Sequence, residues 1–88
     1  MKIYWDGKSK NIIGEKIREL RKSKGWTQAR AAELLQLKGY EFSDLTILRI
    51  ESGNRFVADY ELKALAELFD VSYEELLDAK KDNEEDTI

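Results

Sequence analysis

The chain has 88 residues with neither cysteine nor histidine, which excludes disulfides, thiolate metal sites and imidazole general bases. We therefore expect no enzyme, metal, cofactor or small-molecule ligand, and this length has room for one compact helical core. No apolar run approaches the roughly 20 residues of a membrane span, and no signal-peptide pattern opens the chain. These features favour a soluble cytoplasmic protein without a membrane partner.

The net charge of −3 conceals an uneven distribution along the chain. Residues 1–30 carry nine basic and three acidic side chains, residues 31–73 carry four and eight, and residues 74–88 carry two and seven. The acidic end therefore supplies much of the negative charge. The middle segment is not basic, which counts against strong non-specific affinity for nucleic acid.

Five helices are predicted, which places the chain in the all-α class. Polar residues suited to N-caps start four of them: Asn11, where the first helix is expected to begin, Thr27, Ser43, and Ser72 in a capping box with Glu75. The third helix is predicted near Asp44–Glu51 and the fourth near Asp59–Phe69. The inward residues at helical spacing are Ile13, Ile17, Leu20, Ala31, Ala32, Leu34, Leu35, Ile47, Ile50, Leu62, Leu65, Ala66, Phe69, Leu76 and Leu77.

Glycines mark three of the predicted helix ends, because a left-handed C-terminal cap favours this residue. Gly25, Gly39 and Gly53 each follow a helical pattern. Gly14 lies instead in the first turn of a helix, where we expect a glycine to cost little.

Three regions are predicted along the chain. Residues 1–10 form an N-terminal arm, residues 11–80 a compact helical domain, and residues 81–88 an acidic tail too charged to pack. The arm contains the strand-like segment 3–5 (Ile-Tyr-Trp), which either packs on the helices or pairs across a dimer.

Four stretches of the sequence, in this order, resemble the lambda-repressor and Cro-like (Xre) helix-turn-helix family. They are GEKIRELR at 14–21, GWTQ at 25–28, RIESGNR at 49–55 and VSYEELL at 71–77. A subset of the family resembles the chain more closely, because it shares an extended turn between the second and third helices and an RxVxDYEL pattern, here at 55–62. By our alignment the segment 36–41 adds roughly five residues to the usual turn. It is expected to lengthen the second helix, with Gly39 ending it and Phe42 returning to the core.

The resemblance implies a sequence-specific transcriptional regulator, repressor-like, that binds double-stranded DNA as a homodimer. Its third helix would lie in the major groove, where base edges present distinguishable donors and acceptors. The candidate base contacts are Asp44, Leu45, Leu48 and Arg49. The candidate phosphate contacts are Thr27, Gln28, Lys38, Tyr40, Ser43, Thr46, Asn54 and Arg55. Arg21 and Glu51 match family positions that form a structural ion pair.

Several of these assignments have a second interpretation. Arg49 is the best candidate for a guanine contact, and its alternative is a surface ion pair with a carboxylate. Asp44 either accepts from cytosine or supports the helix N-terminus. Leu45 and Leu48 would meet thymine methyl groups, cover the core or form a protein-binding patch. Lys38 and Tyr40 either reach a phosphate or belong to a solvated corner on which Tyr40 packs as a lid. The 54–55 loop either contacts the DNA backbone or is an ordinary solvated loop.

The competing function is a protein-interaction adaptor or antagonist that keeps the helix-turn-helix fold without binding DNA. The acidic balance and the leucines of the third helix favour it, whereas Arg49 and the family pattern favour DNA. For a homodimer, the candidate interfaces are the fifth helix, around Leu76 and Leu77, and the 3–5 segment, both of which also suit the core.

Overall fold

A computed structural model describes residues 9–78, and within this range the chain forms five helices and no strand. The helices are α1 (Gly14–Ser23), α2 (Gln28–Leu37), α3 (Asp44–Glu51), α4 (Asp59–Phe69) and α5 (Tyr73–Leu77). The all-α prediction is confirmed, and the bounds of α3 and α4 agree with those expected. The predictions for the 3–5 segment and the 81–88 tail lie outside the described residues. Between residues 9 and 78, no helix combines the length and apolarity required to span a bilayer.

The helix starts follow the predicted caps except in α1. The side chains of Thr27, Ser43 and Ser72 each accept a hydrogen bond from a backbone N–H in the first turn that follows. The prediction that α1 begins at Asn11 is wrong, because the helix begins at Gly14 after an Ile13 N-cap. Asn11 nevertheless caps it from outside, since its Oδ1 accepts from the N–H groups of Ile13 at 3.1 Å and Gly14 at 2.8 Å.

Left-handed residues end four of the helices. Gly25, Gly39 and Gly53 have φ angles of 74°, 96° and 80° as predicted, and Asp70 adopts φ 56° after α4. The Asp70 cap was not expected from the sequence, because no glycine marks it. At the end of α2, the Tyr40 N–H donates to the Leu35 carbonyl at 3.0 Å, which closes the helix across Gly39.

The core is formed by apolar side chains from all five helices and from the connection between α2 and α3. Its buried members are Ile13, Ile17, Ala31, Ala32, Leu35, Phe42, Ile47, Ile50, Ala64, Leu65, Ala66, Leu68, Phe69 and Leu76. Trp26 packs at the edge, its ring stacked on Phe69 with centroids 5.9 Å apart. The expectation that Leu77 is buried is wrong: the single turn of α5 directs Leu76 inward and leaves Leu77 42% exposed.

The connection between α2 and α3, residues 38–43, is called here the enlarged turn. Gly39 ends α2 within it and Phe42 returns to the core, as predicted. Gln36 donates from Nε2 to the Phe42 carbonyl at 2.5 Å, and Tyr40 donates from its hydroxyl to Glu67 Oε1 on α4 at 2.9 Å. These bonds fix the path of the turn against the helices on either side.

Candidate nucleic-acid interface

The C-terminal residue of α3 is held by polar side chains from α1 and α2. Arg21 donates from Nε to Glu51 Oε2 at 2.6 Å and from Nη2 to Oε1 at 3.0 Å, and its Nη1 donates to the Trp26 carbonyl at 2.7 Å. Gln28 Nε2 also donates to Glu51 Oε1, at 3.0 Å. The hydrogen bond to Glu51 raises the pKa of Arg21 above its ordinary value, against the opposing effect of burial. Arg21 and Glu51 thus form the expected ion pair, and Gln28 contributes a further hydrogen bond to it.

A second set of contacts, from Asn11 and Gly14, holds the same end of α3. Asn11 Nδ2 donates to the Ile50 carbonyl at 3.1 Å and to the Arg55 carbonyl at 2.9 Å, while its Oδ1 caps α1. Gly14 is buried against this helix end, and a Cβ there would overlap the Ile50 carbonyl oxygen and lie 3.1 Å from that of Glu51. Sequence reasoning missed this close approach, because the spacing of α1 says nothing about what crosses its first turn.

The outward face of α3, defined by Asp44, Leu45, Leu48 and Arg49, lies in solvent as the helical spacing predicts. Leu45 and Leu48 are 46% and 45% exposed, so neither covers the core. Arg49 forms no ion pair with any residue between 9 and 78, whereas Asp44 Oδ1 accepts from the Leu45 N–H at 2.8 Å. The guanidinium is therefore available to a ligand, and the carboxylate supports the helix N-terminus.

The first turn of α2 lies beside this face. Gln28 lines a shallow depression with Leu48 of α3 and Arg18 of α1. The Thr27 hydroxyl accepts from the Arg30 N–H at 3.0 Å, and no acidic side chain occupies the turn. The backbone N–H groups of Gln28 and Ala29 have no partner among residues 9–78, and such groups at a helix N-terminus suit an anion.

Arg18 is a candidate that sequence reasoning did not single out. It is exposed, it forms no ion pair within the described part of the chain, and it lines the depression with Leu48 and Gln28. In the sequence it is one of several basic residues on the polar side of α1. Only the crossing of α1 over α3 distinguishes it from the others.

The hydroxyl groups expected at the start of α3 are already engaged. Ser43 Oγ accepts from the Thr46 N–H at 3.1 Å, and the Ser43 and Thr46 hydroxyl oxygens lie 3.1 Å apart. Together with the Asp44 bond to Leu45, these contacts leave only the Asp44 N–H of the first turn without a partner among residues 9–78, and the Asp44 carboxylate lies beside it. The N-terminus of α2 is therefore better suited to a phosphate than that of α3.

The two candidates of the enlarged turn differ in their contacts. Lys38 is exposed and forms no ion pair with residues 9–78. Tyr40 is half-buried, and the bond from its hydroxyl to Glu67 raises the pKa of the phenol above its ordinary value. This arrangement favours the lid interpretation of Tyr40 and leaves Lys38 as the basic group of the turn.

The loop between α3 and α4 contains a second internal ion pair. Arg55 pairs through Nη2 with Glu61, a buried carboxylate whose Oε1 also accepts from the Ala58 N–H at 3.0 Å. Arg55 Nε is buried without a hydrogen-bond partner in the described region, although the side chain as a whole remains 37% exposed. Asn54 is exposed and donates from Nδ2 to Ser52 Oγ at 3.2 Å. The role of Glu61 was missed because its sequence position resembles any helix-start carboxylate.

No group of acidic residues between positions 9 and 78 has the arrangement of a metal site. The exposed positions near α3 instead carry backbone donors, two leucines, and arginines that form no ion pair within the described part of the chain. This composition suits an extended ligand that presents both anions and apolar surface.

The comparisons with known proteins agree with this architecture. Residues 14–81 match the family described as "Helix-turn-helix domain". The fold is similar to the crystal structure of the DNA-binding domain of BldD, with a TM-score of 0.66 and 26% identity over 84% of this chain and 99% of that one. No curated protein matches the sequence. The match spans α1 to α5, and the chain therefore belongs to the helix-turn-helix domain family, of the lambda-repressor-like type that its motifs indicate.

Proposed function

We propose that the chain is a sequence-specific DNA-binding transcriptional regulator, repressor-like, that places α3 in the major groove. The observation that carries the proposal is the outward face of α3, where Arg49 is exposed and unpaired within residues 9–78. The similar structure is that of the DNA-binding domain of BldD, which supports the same ligand. An α-helix fits the major groove, and the contacts of Glu51 and Asn11 hold this one against the core.

Arg49 is the proposed principal base contact. A guanidinium donates two parallel hydrogen bonds to guanine O6 and N7, and each such bidentate contact contributes about 1–3 kcal/mol of discrimination. Leu45 and Leu48 would meet thymine methyl groups beside it. Asp44 is the least supported of the four candidate base contacts. Its carboxylate accepts from the Leu45 N–H, and it would be repelled by nearby phosphates.

The phosphate contacts proposed with most support come from α2 and its neighbour α1. The unpartnered N–H groups of Gln28 and Ala29 would bind one phosphate beside Thr27, and the Arg18 guanidinium would neutralise another nearby. A phosphate contact by the Gln28 side chain would require it to leave Glu51.

Further phosphate contacts are proposed on the two flanks. Lys38 would contribute from the enlarged turn, and Asn54 and Arg55 from the loop after α3. Arg55 has its Nη2 bound to Glu61, so it would offer only its remaining donors. Tyr40, Ser43 and Thr46 have weaker support, since each of their hydroxyl groups has a partner within the protein.

We propose that the regulator acts as a homodimer on a palindromic site. A single α3 contacts few base pairs, whereas two copies related by a two-fold axis double the sequence read. Their half-sites would lie about 34–36 Å apart, one turn of B-DNA.

Selection of bound fragments from a random DNA pool by the full chain, at stated salt concentration, tests this function. We expect enrichment of an inverted repeat with that half-site spacing, and weaker enrichment by Arg49→Ala. Enrichment of no sequence would contradict the proposal.

The exposed leucines favour a second candidate, a protein-interaction adaptor or antagonist. Leu45 and Leu48 are nearly half exposed on adjacent turns of α3, and Asp44 would repel phosphates. Arg18 lies beside Leu48 and Arg49 follows it directly, so the leucines are bordered by cations rather than by further apolar surface. A chain that selects no DNA but loses binding of a protein ligand on Leu48→Ala would be assigned to this class.

A further inference from the structure

A second exposed apolar surface lies on α4 and α5, separate from the outward face of α3. Tyr60, Leu62 and Tyr73 line an open groove, called here the tyrosine groove, with Asp59 and Lys63 at its edges. Tyr60 is 66% exposed and Tyr73 49% exposed. Leu77 is four residues after Tyr73, which places both on one side of α5 and extends the apolar surface.

The charges at the groove edges are unpaired within the described residues. Asp59 and Lys63 are four positions apart on α4, the spacing at which an Asp and a Lys can bond along a helix. Neither forms an ion pair with any residue from 9 to 78. Both are therefore available to charges on another molecule.

We propose that the tyrosine groove binds a second copy of this chain through a two-fold axis. The exposed face of α4 is complementary to itself in charge. When two α4 helices pack antiparallel about an axis midway between positions 59 and 63, each Asp59 faces Lys63 of the other copy. The two Tyr60 rings then meet near the axis, and Tyr73 and Leu77 cover the flanks.

The composition of the surface agrees with this occupant. An isologous interface must match itself, so each charge needs its opposite at the same distance from the axis on the same surface. Asp59 and Lys63 satisfy that condition, with a tyrosine between them in the sequence. Tyrosine is also enriched at protein interfaces, because a ring buries a large area while its hydroxyl stays hydrated.

The groove and the DNA-binding face are formed by different residues. None of the groove residues belongs to α3, the first turn of α2 or the enlarged turn. This inference rests on the proposed homodimeric regulator and assigns its interface to α4 and α5, with Leu77 contributing and Leu76 remaining in the core.

Sedimentation equilibrium of the full chain without DNA, from micromolar to millimolar concentration, tests the assignment. We expect a monomer–dimer equilibrium for the unmodified chain. Lys63→Asp and Asp59→Lys should each raise its dissociation constant about tenfold or more, because each change places like charges together twice in one interface. The double variant Asp59→Lys with Lys63→Asp should restore association, since the facing pairs are re-formed with reversed sign.

Three outcomes would overturn the inference: a monomer at every concentration, single variants that associate like the unmodified chain, or a double variant that remains weak. Lys22→Asp on α1 is the control for the added negative charge and should leave association unchanged. Far-UV circular dichroism verifies the fold of each variant, whose changed side chains are all exposed. DNA selection answers a separate question, because enrichment of a half-site by a monomeric chain would remove this interface and the homodimer but leave the proposed sequence-specific DNA binding by α3 intact.

Discussion

The inner and outer sides of α3 differ in how their polar groups are satisfied. On the inner side, Glu51 accepts three hydrogen bonds from Arg21 and Gln28, and the Ile50 carbonyl accepts one from Asn11. On the outer side, Arg49 has no ion pair among residues 9–78, although it lies two positions from Glu51. Changes on the inner side should therefore alter stability, whereas changes on the outer side should alter binding.

Glu51→Ala should have the largest effect, on the inner side. It would leave the Arg21 guanidinium with low exposure and without its carboxylate, a loss of about 3–5 kcal/mol for a deeply buried pair. Chemical denaturation should show the reduced free energy of unfolding, accompanied by a clear fall in melting temperature. An unchanged melt would contradict the structural role of the pair.

The matched control is Glu33→Ala, which removes the ion pair with Arg30 on the surface of α2. Both of its side chains are about half exposed, and such pairs contribute about 0–1 kcal/mol. Equal losses of unfolding free energy in Glu33→Ala and Glu51→Ala would mean that burial does not distinguish the two ion pairs.

Gly14→Ala should have the next largest effect, also on the inner side. The new Cβ would overlap the Ile50 carbonyl, so α1 and α3 must separate at a cost of about 1–3 kcal/mol. Glu15→Ala changes the adjacent exposed position and should alter stability by about 0.5 kcal/mol or less. Comparison of the two melts tests the close approach, since helix propensity alone favours alanine at position 14. A Gly14→Ala variant as stable as the parent would contradict it.

Lys38→Ala should have a small effect, on the DNA-binding side alone. Loss of one phosphate contact would reduce the slope of log affinity against log salt concentration by about 0.9. Tyr40→Phe removes the hydroxyl bonded to Glu67 and should leave that slope unchanged. A salt titration with equal slopes for the parent and Lys38→Ala would remove Lys38 from the interface.

Much of the fold could be predicted because its signals are local. Thr27 and Ser43 start their helices, Gly39 ends α2 and the isoleucines of α3 point inward, as their sequence patterns indicate. The predicted start of α1 was wrong because Asn11 lies outside the helix. Its side chain accepts from the first N–H groups of α1 and also donates to the Ile50 and Arg55 carbonyls, at and after the end of α3. That arrangement depends on residues about 40 positions away, which local patterns cannot reveal.

The candidate site was less predictable, because accessibility depends on how the helices cross. The spacing of α3 placed Leu48 and Arg49 outward, and the family pattern pointed to Arg21 and Glu51. Neither the spacing nor the family pattern indicated that Glu61 pairs with Arg55, or that Arg18 of α1 lies beside Leu48.

The most direct test of the separation between the two sides is Arg49→Ala, with stability and DNA affinity measured on the same preparation. We expect a melting temperature equal to that of the parent, because Arg49 has no ion pair within residues 9–78. Affinity for the selected sequence should fall by about 1–3 kcal/mol at fixed salt, with a smaller loss on unrelated DNA. A lowered melting temperature would contradict the separation between the two sides of α3, and an unchanged preference for the selected sequence would contradict the assignment of its outward face to DNA recognition.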